Sequence, residues 1–324
     1  QDLAGLQTIE HLSDHLTELA DTIVQETLPL CWATIKKRHC ETPKFAIIGY
    51  GKMGGKELGY ASDLDMVYLF DDDDQDAGEN YNRLGQRLNT WLSSQTSAGI
   101  LFETDLRLRP NGDSGLLAVS VDAFRDYQLK HAWVWEHQAL SRARFCAGDP
   151  AVGERFEAIR IEILRQQRDL TKLREEVIAM RRKMLDAHAS HSENEFDLKQ
   201  DPGGIIDVEF IVQYLVLGYA HQHAELTGNL GNIALLRIAG ELGLINSGQA
   251  EAVGNAYREY RRLQHAKRLN ANPQARNDRE SLEKHIVAVN QLWQAIFING
   301  PVACRKKPLL SGFYFLRGRH ERIT

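Results

Sequence analysis

The chain has 324 residues, 43% hydrophobic and 26% charged, with a formal charge of −5 and a pI near 6.2. That is an ordinary soluble composition with room for about two or three domains. The acidic balance argues against a long polyanion, nucleic acid included, as the main partner, and no stretch approaches the ~20 apolar residues of a membrane helix. The cysteines Cys31, Cys40, Cys146 and Cys304 form no CxxC, which suggests neither a disulfide framework nor a zinc site and fits a reducing cytosol. The first residue is Gln, as expected of a piece of something longer.

From Leu3 to Ile23 apolar residues recur at three- and four-residue spacing, which predicts a helix. It leads into an apolar strand at Phe45–Ile48, a turn containing Gly49, Gly51, Gly54 and Gly55, and a second strand at Leu64–Phe70. Asp63 and Asp65 stand at the mouth of that strand. Two residues apart on an extended chain, their carboxylates share a face and repel unless a cation lies between them. Hard divalent cations take such oxygen ligands, Mg²⁺ usually together with substrate phosphates, and glycines let backbone N–H groups approach anionic oxygens. The stretch therefore predicts a nucleotide and Mg²⁺ site. The acidic run Asp71–Asp74 reads as a solvated turn.

A helix is expected over Asn80–Trp91 and a third strand over Ile100–Leu108, where Glu103, Asp105, Arg107 and Arg109 alternate with apolar residues. Its charged face offers Asp105, with Glu103 as competitor, for a third carboxylate, and two arginines for phosphate. Trp133 and Trp135 are expected to pack a core or junction, with Glu136 and His137 a weak acid/base pair. Glu154–Ala189 predicts a helix or helix pair. Pro202-Gly203-Gly204 predicts a helix start able to hold an anion, followed by Asp207, Glu209 and Gln213 on an apolar helix. Further helices are expected over Asn229–Leu244 and Gln249–Asn270, the latter with a basic stripe read as solvated. The tail from Asn299 to Thr324 is basic and aperiodic, with no role assigned.

The strings IGYGKMGGKELGYASDLD, TDLRLRP, WEHQALSRAR and FDLKQDPGGIIDVEF resemble glutamine synthetase adenylyltransferase, a bacterial family with two tandem nucleotidyltransferase halves, in the superfamily of DNA polymerase beta. The wording is similar to the adenylylating, C-terminal half, and the resemblance covers about Leu3 to Phe297. It implies an α+β fold, a polymerase beta-like core of a small mixed sheet with flanking helices, followed by a helical bundle. The expected division is an N-terminal helical segment 1–42, a catalytic domain 43–150, a helical domain 151–298 and the tail 299–324.

The implied activity is AMP transfer from ATP to a tyrosine of glutamine synthetase with release of pyrophosphate. The alternatives are the deadenylylating, phosphorolytic half and a non-catalytic module binding ATP or the PII protein. By this resemblance Asp63, Asp65 and Asp105 hold Mg²⁺ and serve catalysis, and Gly54, Gly55 and Ser62 cradle phosphate. Lys52, Arg107 and Arg109 neutralise the leaving group, and Lys199 reaches in from the helical half. PII and glutamine are expected regulators, and the expected location is cytoplasmic.

Overall fold

The computed structural model describes residues 6–187, 194–270 and 276–299. In chain order the first half runs α1 (Ile9–Ala33), β1 (Phe45–Gly49), α2 (Gly51–Gly54), β2 (Leu64–Phe70), α3 (Ala77–Ser93), β3 (Thr104–Asp105), β4 (Ala118–Ser120), α4 (Val121–Lys130), α5 (Val134–Leu140) and β5 (Arg144–Gly148). The second half is helical: α6 (Pro150–Leu164), α7 (Leu170–Ala187), α8 (Ile205–Tyr219), α9 (Asn232–Glu241), α10 (Ser247–Leu269) and α11 (Arg279–Trp293), with one small ribbon of β6 (Glu195–Asp197) and β7 (Arg276–Asp278). The architecture is α+β: a small mixed sheet flanked by helices, followed by a helical half.

The main sheet has the order β3-β2-β1-β5, with β4 also paired to β2. β1 is antiparallel to both β2 and β5, whereas β3 and β4 lie parallel to β2 at its two ends. Both faces are buried, and strand alternation sorts the side chains between them. Phe45, Ile47, Met66, Tyr68 and Phe70 pack with α1 and α3, while Ala46, Ile48, Val67 and Leu69 pack with α4, α5 and α6. This explains why the strands read as continuous apolar runs rather than alternating ones. A third cluster fills the helical half around α8, whose residues are buried on nearly every side.

Several expectations are corrected. The strand predicted over Ile100–Leu108 shrinks to Thr104–Asp105, because only that dipeptide pairs in register with β2. Its flanks run as loop. Trp133 and Trp135 are not core residues: they are 69% and 38% exposed. The basic stripe of α10 is solvated or half-solvated at Arg258, Arg262, Lys267 and Arg268, whereas Arg261 turns into the core beside Tyr257, Tyr260 and His265. The Asp71–Asp74 run is only partly solvated, for the Asp72 side chain turns inward onto His39 and Tyr81. The tail from 300 onward lies outside the described residues. Among the described residues no helix is long and apolar enough to cross a membrane.

Candidate active site

The pairing of β3 with β2 builds the site. Parallel register sets Asp65 directly beside Asp105, and Asp63 lies two residues before Asp65 on the same side. The three carboxylates each present an oxygen within 4.8 Å of the others. Glu103 is exposed and stands outside this trio; its backbone carbonyl accepts from Leu64 N–H (2.9 Å) and so helps fasten β3 to β2.

The trio is electrostatically strained. Burial, and then repulsion by Asp63 and Asp105, push the Asp65 carboxyl up to about 6. Asp105 moves the other way. Arg107 grips both of its carboxylate oxygens, with Nε 3.0 and 2.9 Å from Oδ1 and Oδ2, and holds its pKa below the usual carboxylate range. A divalent cation fits this donor set, which is all oxygen and carries more negative charge than its neighbours balance.

The glycine turn presses against the trio. Gly51 has φ +53°, and a Cβ there would stand 2.2 Å from Asp65 Oδ2; only glycine suits that backbone and that contact. Gly54 and Gly55 do a different job from the one expected. Their N–H groups donate to Tyr50 and Gly51 carbonyls within the turn (2.8 and 3.1 Å), and both residues pack on Arg142. Close packing, not a free N–H, accounts for these two glycines here. Ser62 likewise closes a turn, its Oγ accepting from Gly59 N–H at 3.0 Å. Arg109 is buried and donates to the carbonyls of Leu106 (2.7 Å) and Gly115 (3.3 Å), bracing the loop behind Asp105.

Lys52 forms no ion pair among the described residues. Burial, and then the charge of Lys199, lower its pKa. Lys199 is exposed and comes from the loop before α8, so the glycine turn and the helical half each contribute one cation to the same space. The N-terminus of α8 is not an anion site: Gly203 N–H donates to Asp207 (2.6 Å), and the N–H groups of Gly204, Ile205 and Ile206 donate to Asp201, Leu198 and Lys199 carbonyls. Asp207 itself is buried against Arg181 at 2.5 Å.

The residues that sequence reasoning missed lie beneath the glycine turn. Glu57 is buried and accepts from Arg142 (2.5 Å), Tyr257 OH (2.7 Å) and Asn232 N–H (3.0 Å), while Arg142 also pairs with Glu209 at 2.6 Å. Arg261 donates to the Glu57 carbonyl at 3.0 Å. This network ties the turn to α8, α9 and α10. One signal was available: a lone carboxylate inside the apolar, glycine-rich string GGKELGY. Glu136 and His137 do not pair with each other; Glu136 accepts from Tyr127 OH and Trp133 N–H (both 2.8 Å), and His137 bonds the Gln128 carbonyl (3.0 Å).

Fold and cluster together define an α+β protein with an acidic cleft suited to a divalent cation. Residues 1–159 match the family described as glutamate-ammonia ligase adenylyltransferase, and residues 171–292 match that described as GlnD PII-uridylyltransferase. The chain is 66% identical over 270 residues to the bifunctional glutamine synthetase adenylyltransferase/adenylyl-removing enzyme of Aromatoleum aromaticum, covering 83% of this chain and 29% of that protein. It is 58% identical over 310 residues to the enzyme of the same name from Nitrosomonas europaea (91% and 33%). It is 56% identical over 297 residues to that of Chromobacterium violaceum (92% and 33%). The chain belongs to the glutamine synthetase adenylyltransferase family, whose members are nucleotidyltransferase enzymes. It spans about a third of the length of these relatives.

Proposed function

We propose that this chain is the adenylylating half of such an enzyme, moving AMP from ATP to a tyrosine of glutamine synthetase, releasing pyrophosphate and turning down nitrogen assimilation. The observation that carries the reading is a pair of opposed like-charge strains in one cleft. Burial, and then the charges of Asp63 and Asp105, raise Asp65; burial, and then the charge of Lys199 from the helical half, lower Lys52. A divalent cation relieves the first and a polyphosphate the second, and Mg²⁺ with ATP supplies both. The sheet and its carboxylates support a polymerase beta-like core, with 43–150 as catalytic domain, 151–298 as helical domain and 1–42 contributing α1 to one face of the sheet.

Asp63, Asp65 and Asp105 would hold Mg²⁺, which when bound polarises phosphate oxygens and acidifies a hydroxyl. Asp105, kept ionised by Arg107, accepts the proton of the attacking tyrosine. Lys52 and Lys199 orient the triphosphate and offset charge developing on the departing pyrophosphate. Arg107 moves between Asp105 and phosphate, and Arg109, by fixing the loop, keeps Asp105 in register. Gly54, Gly55 and Ser62 shape the turn on which Lys52 rides. The protein partner is glutamine synthetase, the regulators are PII and glutamine, and the compartment is the cytoplasm.

The test is incubation with Mg²⁺, α-labelled ATP and unmodified glutamine synthetase. Label should move to the synthetase, and Asp63→Asn and Asp65→Asn should each abolish transfer while leaving the circular dichroism spectrum unchanged. No label on the synthetase refutes the reading. ADP released from adenylylated synthetase and phosphate would assign the chain to the opposite direction of the bifunctional reaction.

A further inference from the structure

We propose that His39, Cys40 and Asp72 form a second cation site, of nitrogen, sulfur and oxygen donors, at the end of β2 away from the carboxylate trio, with Zn²⁺ the cation it fits best. Asp72 lies seven positions after Asp65 along and just past an extended strand, so the two sites are roughly 20 Å apart. The three side chains come from two segments, the 34–44 connection and the turn after β2. Their donor atoms nevertheless all lie within 4.8 Å of one another.

The distances suit a tetrahedral ion. Zn–N and Zn–O bonds of about 2.0–2.2 Å and a Zn–S bond of about 2.3 Å give tetrahedral edges of about 3.3 Å from nitrogen to oxygen and about 3.6 Å from nitrogen to sulfur. His39 Nε2 stands 3.1 Å from Asp72 Oδ2 and 3.6 Å from Cys40 Sγ. A thiolate and an imidazole select zinc-like cations over Mg²⁺, whereas the all-oxygen trio prefers Mg²⁺. The two sites therefore need not compete.

The surroundings are those of a prepared ligand set. The side chains of His39 and Asp72 are only 5% and 8% exposed. Tyr81 OH donates to Asp72 Oδ2 at 2.9 Å and Asp74 N–H donates to Oδ1 at 3.2 Å, which fixes the carboxylate. Asn80 Nδ2 lies 3.1 Å from His39 Nδ1; with that amide turned over, at the loss of its 3.4 Å bond to the Lys37 carbonyl, its oxygen would accept from the far nitrogen as a metal-bound imidazole requires. Trp32 and Tyr81 pack edge-on to the imidazole. The Cys40 thiol lies 3.2 Å from the Thr42 carbonyl, 3.6 Å from His39 Nε2 and 3.9 Å from the Tyr81 hydroxyl, so it faces the other two ligands.

Binding is balanced as follows. The Cys40 thiol loses its proton to solvent. The imidazole proton moves from Nε2 to Nδ1, where it is donated to the Asn80 side-chain oxygen after that amide turns over. The Nε2 lone pair, the thiolate and one Asp72 oxygen take three positions, and water takes the fourth. One proton is released per ion. The consequence is a clamp that fastens the connection between α1 and β1 to the sheet.

The test uses Co²⁺ alone, added to the full reduced chain stripped with chelator and kept in excess Mg²⁺ to occupy the carboxylate trio. One equivalent should develop thiolate-to-cobalt charge transfer in the near ultraviolet together with tetrahedral visible bands, and Zn²⁺ should displace it. Cys40→Ser should lose the charge-transfer band, Asn80→Ala should weaken binding about 10–100-fold, and Asp63→Asn should bind as the parent does. Absence of the band in the parent, or its survival in Cys40→Ser, overturns the proposal. Should Cys40→Ser melt differently from the metal-free parent, His39→Gln replaces it under the same criterion.

Discussion

Replacing Glu57 with alanine tests whether the buried network joins the glycine turn to the helical half. The side chain is 5% exposed and receives Arg142, Tyr257 and Asn232. Removing one partner of a buried ion pair costs about 3–5 kcal/mol, because the other charge and the orphaned donors stay buried. Arg142 retains Glu209, which holds the cost inside that range rather than above it. Glu57→Gln keeps acceptors for Tyr257 and Asn232 and should cost about 1–3 kcal/mol. Glu209, 21% exposed at its side chain, should cost only about 1 kcal/mol on truncation. Urea unfolding followed by far-ultraviolet circular dichroism gives the three values, provided the denaturant slopes agree. There is also a pH signature. Burial pushes the Glu57 carboxyl up, but Arg142 and Arg261 pull it below the ordinary glutamate value of 4.5. Its contribution should thus be complete above about 4.5 and fade as pH falls through the depressed folded value. If Glu57→Ala costs no more than Glu209→Ala, the network does not hold the halves together and the reasoning fails.

Asp65→Asn should abolish AMP transfer yet stabilise the metal-free protein above pH 6. Because the folded carboxyl is raised from 3.8 to about 6, its unfavourable contribution grows from pH 3.8 to 6 and then levels, at up to about 3 kcal/mol. Thermal melts with and without Mg²⁺ check this, with Mg²⁺ stabilising the parent more than the variant. Gly51→Ala places a methyl 2.2 Å from Asp65 Oδ2 at φ +53°, so it should cost about 1–3 kcal/mol and weaken Mn²⁺ binding measured by electron paramagnetic resonance. Lys52→Met should raise the KM for ATP about 10-fold or more while leaving metal-free stability no lower, since burial and the charge of Lys199 already disfavour the ammonium there; steady-state kinetics and melts decide it.

What the sequence determined by itself was whatever depends on neighbours along the chain. Paired aspartates two apart, a glycine turn between apolar strands, and helices with three-and-four spacing are local patterns, and the structure keeps them as β1, β2, α1, α3 and the helical half. What only the tertiary structure decided was which distant residues meet. Asp105 joins Asp65 because a two-residue strand happens to pair in parallel register, a fact no alternation pattern carries, since most of the residues that made Ile100–Leu108 look like a strand lie outside the pairing. Trp133 and Trp135 read as core by type but stand on the surface, because aromatic character states the gain from burial and not whether a partner surface exists. Glu57 shows the converse. One carboxylate in an apolar string is costly to bury, and residues from Arg142 to Arg261 arrive from far along the chain to make that burial stable. Long-range pairing of charge is a property of the packed molecule, and here it ties the glycine turn to the helical half.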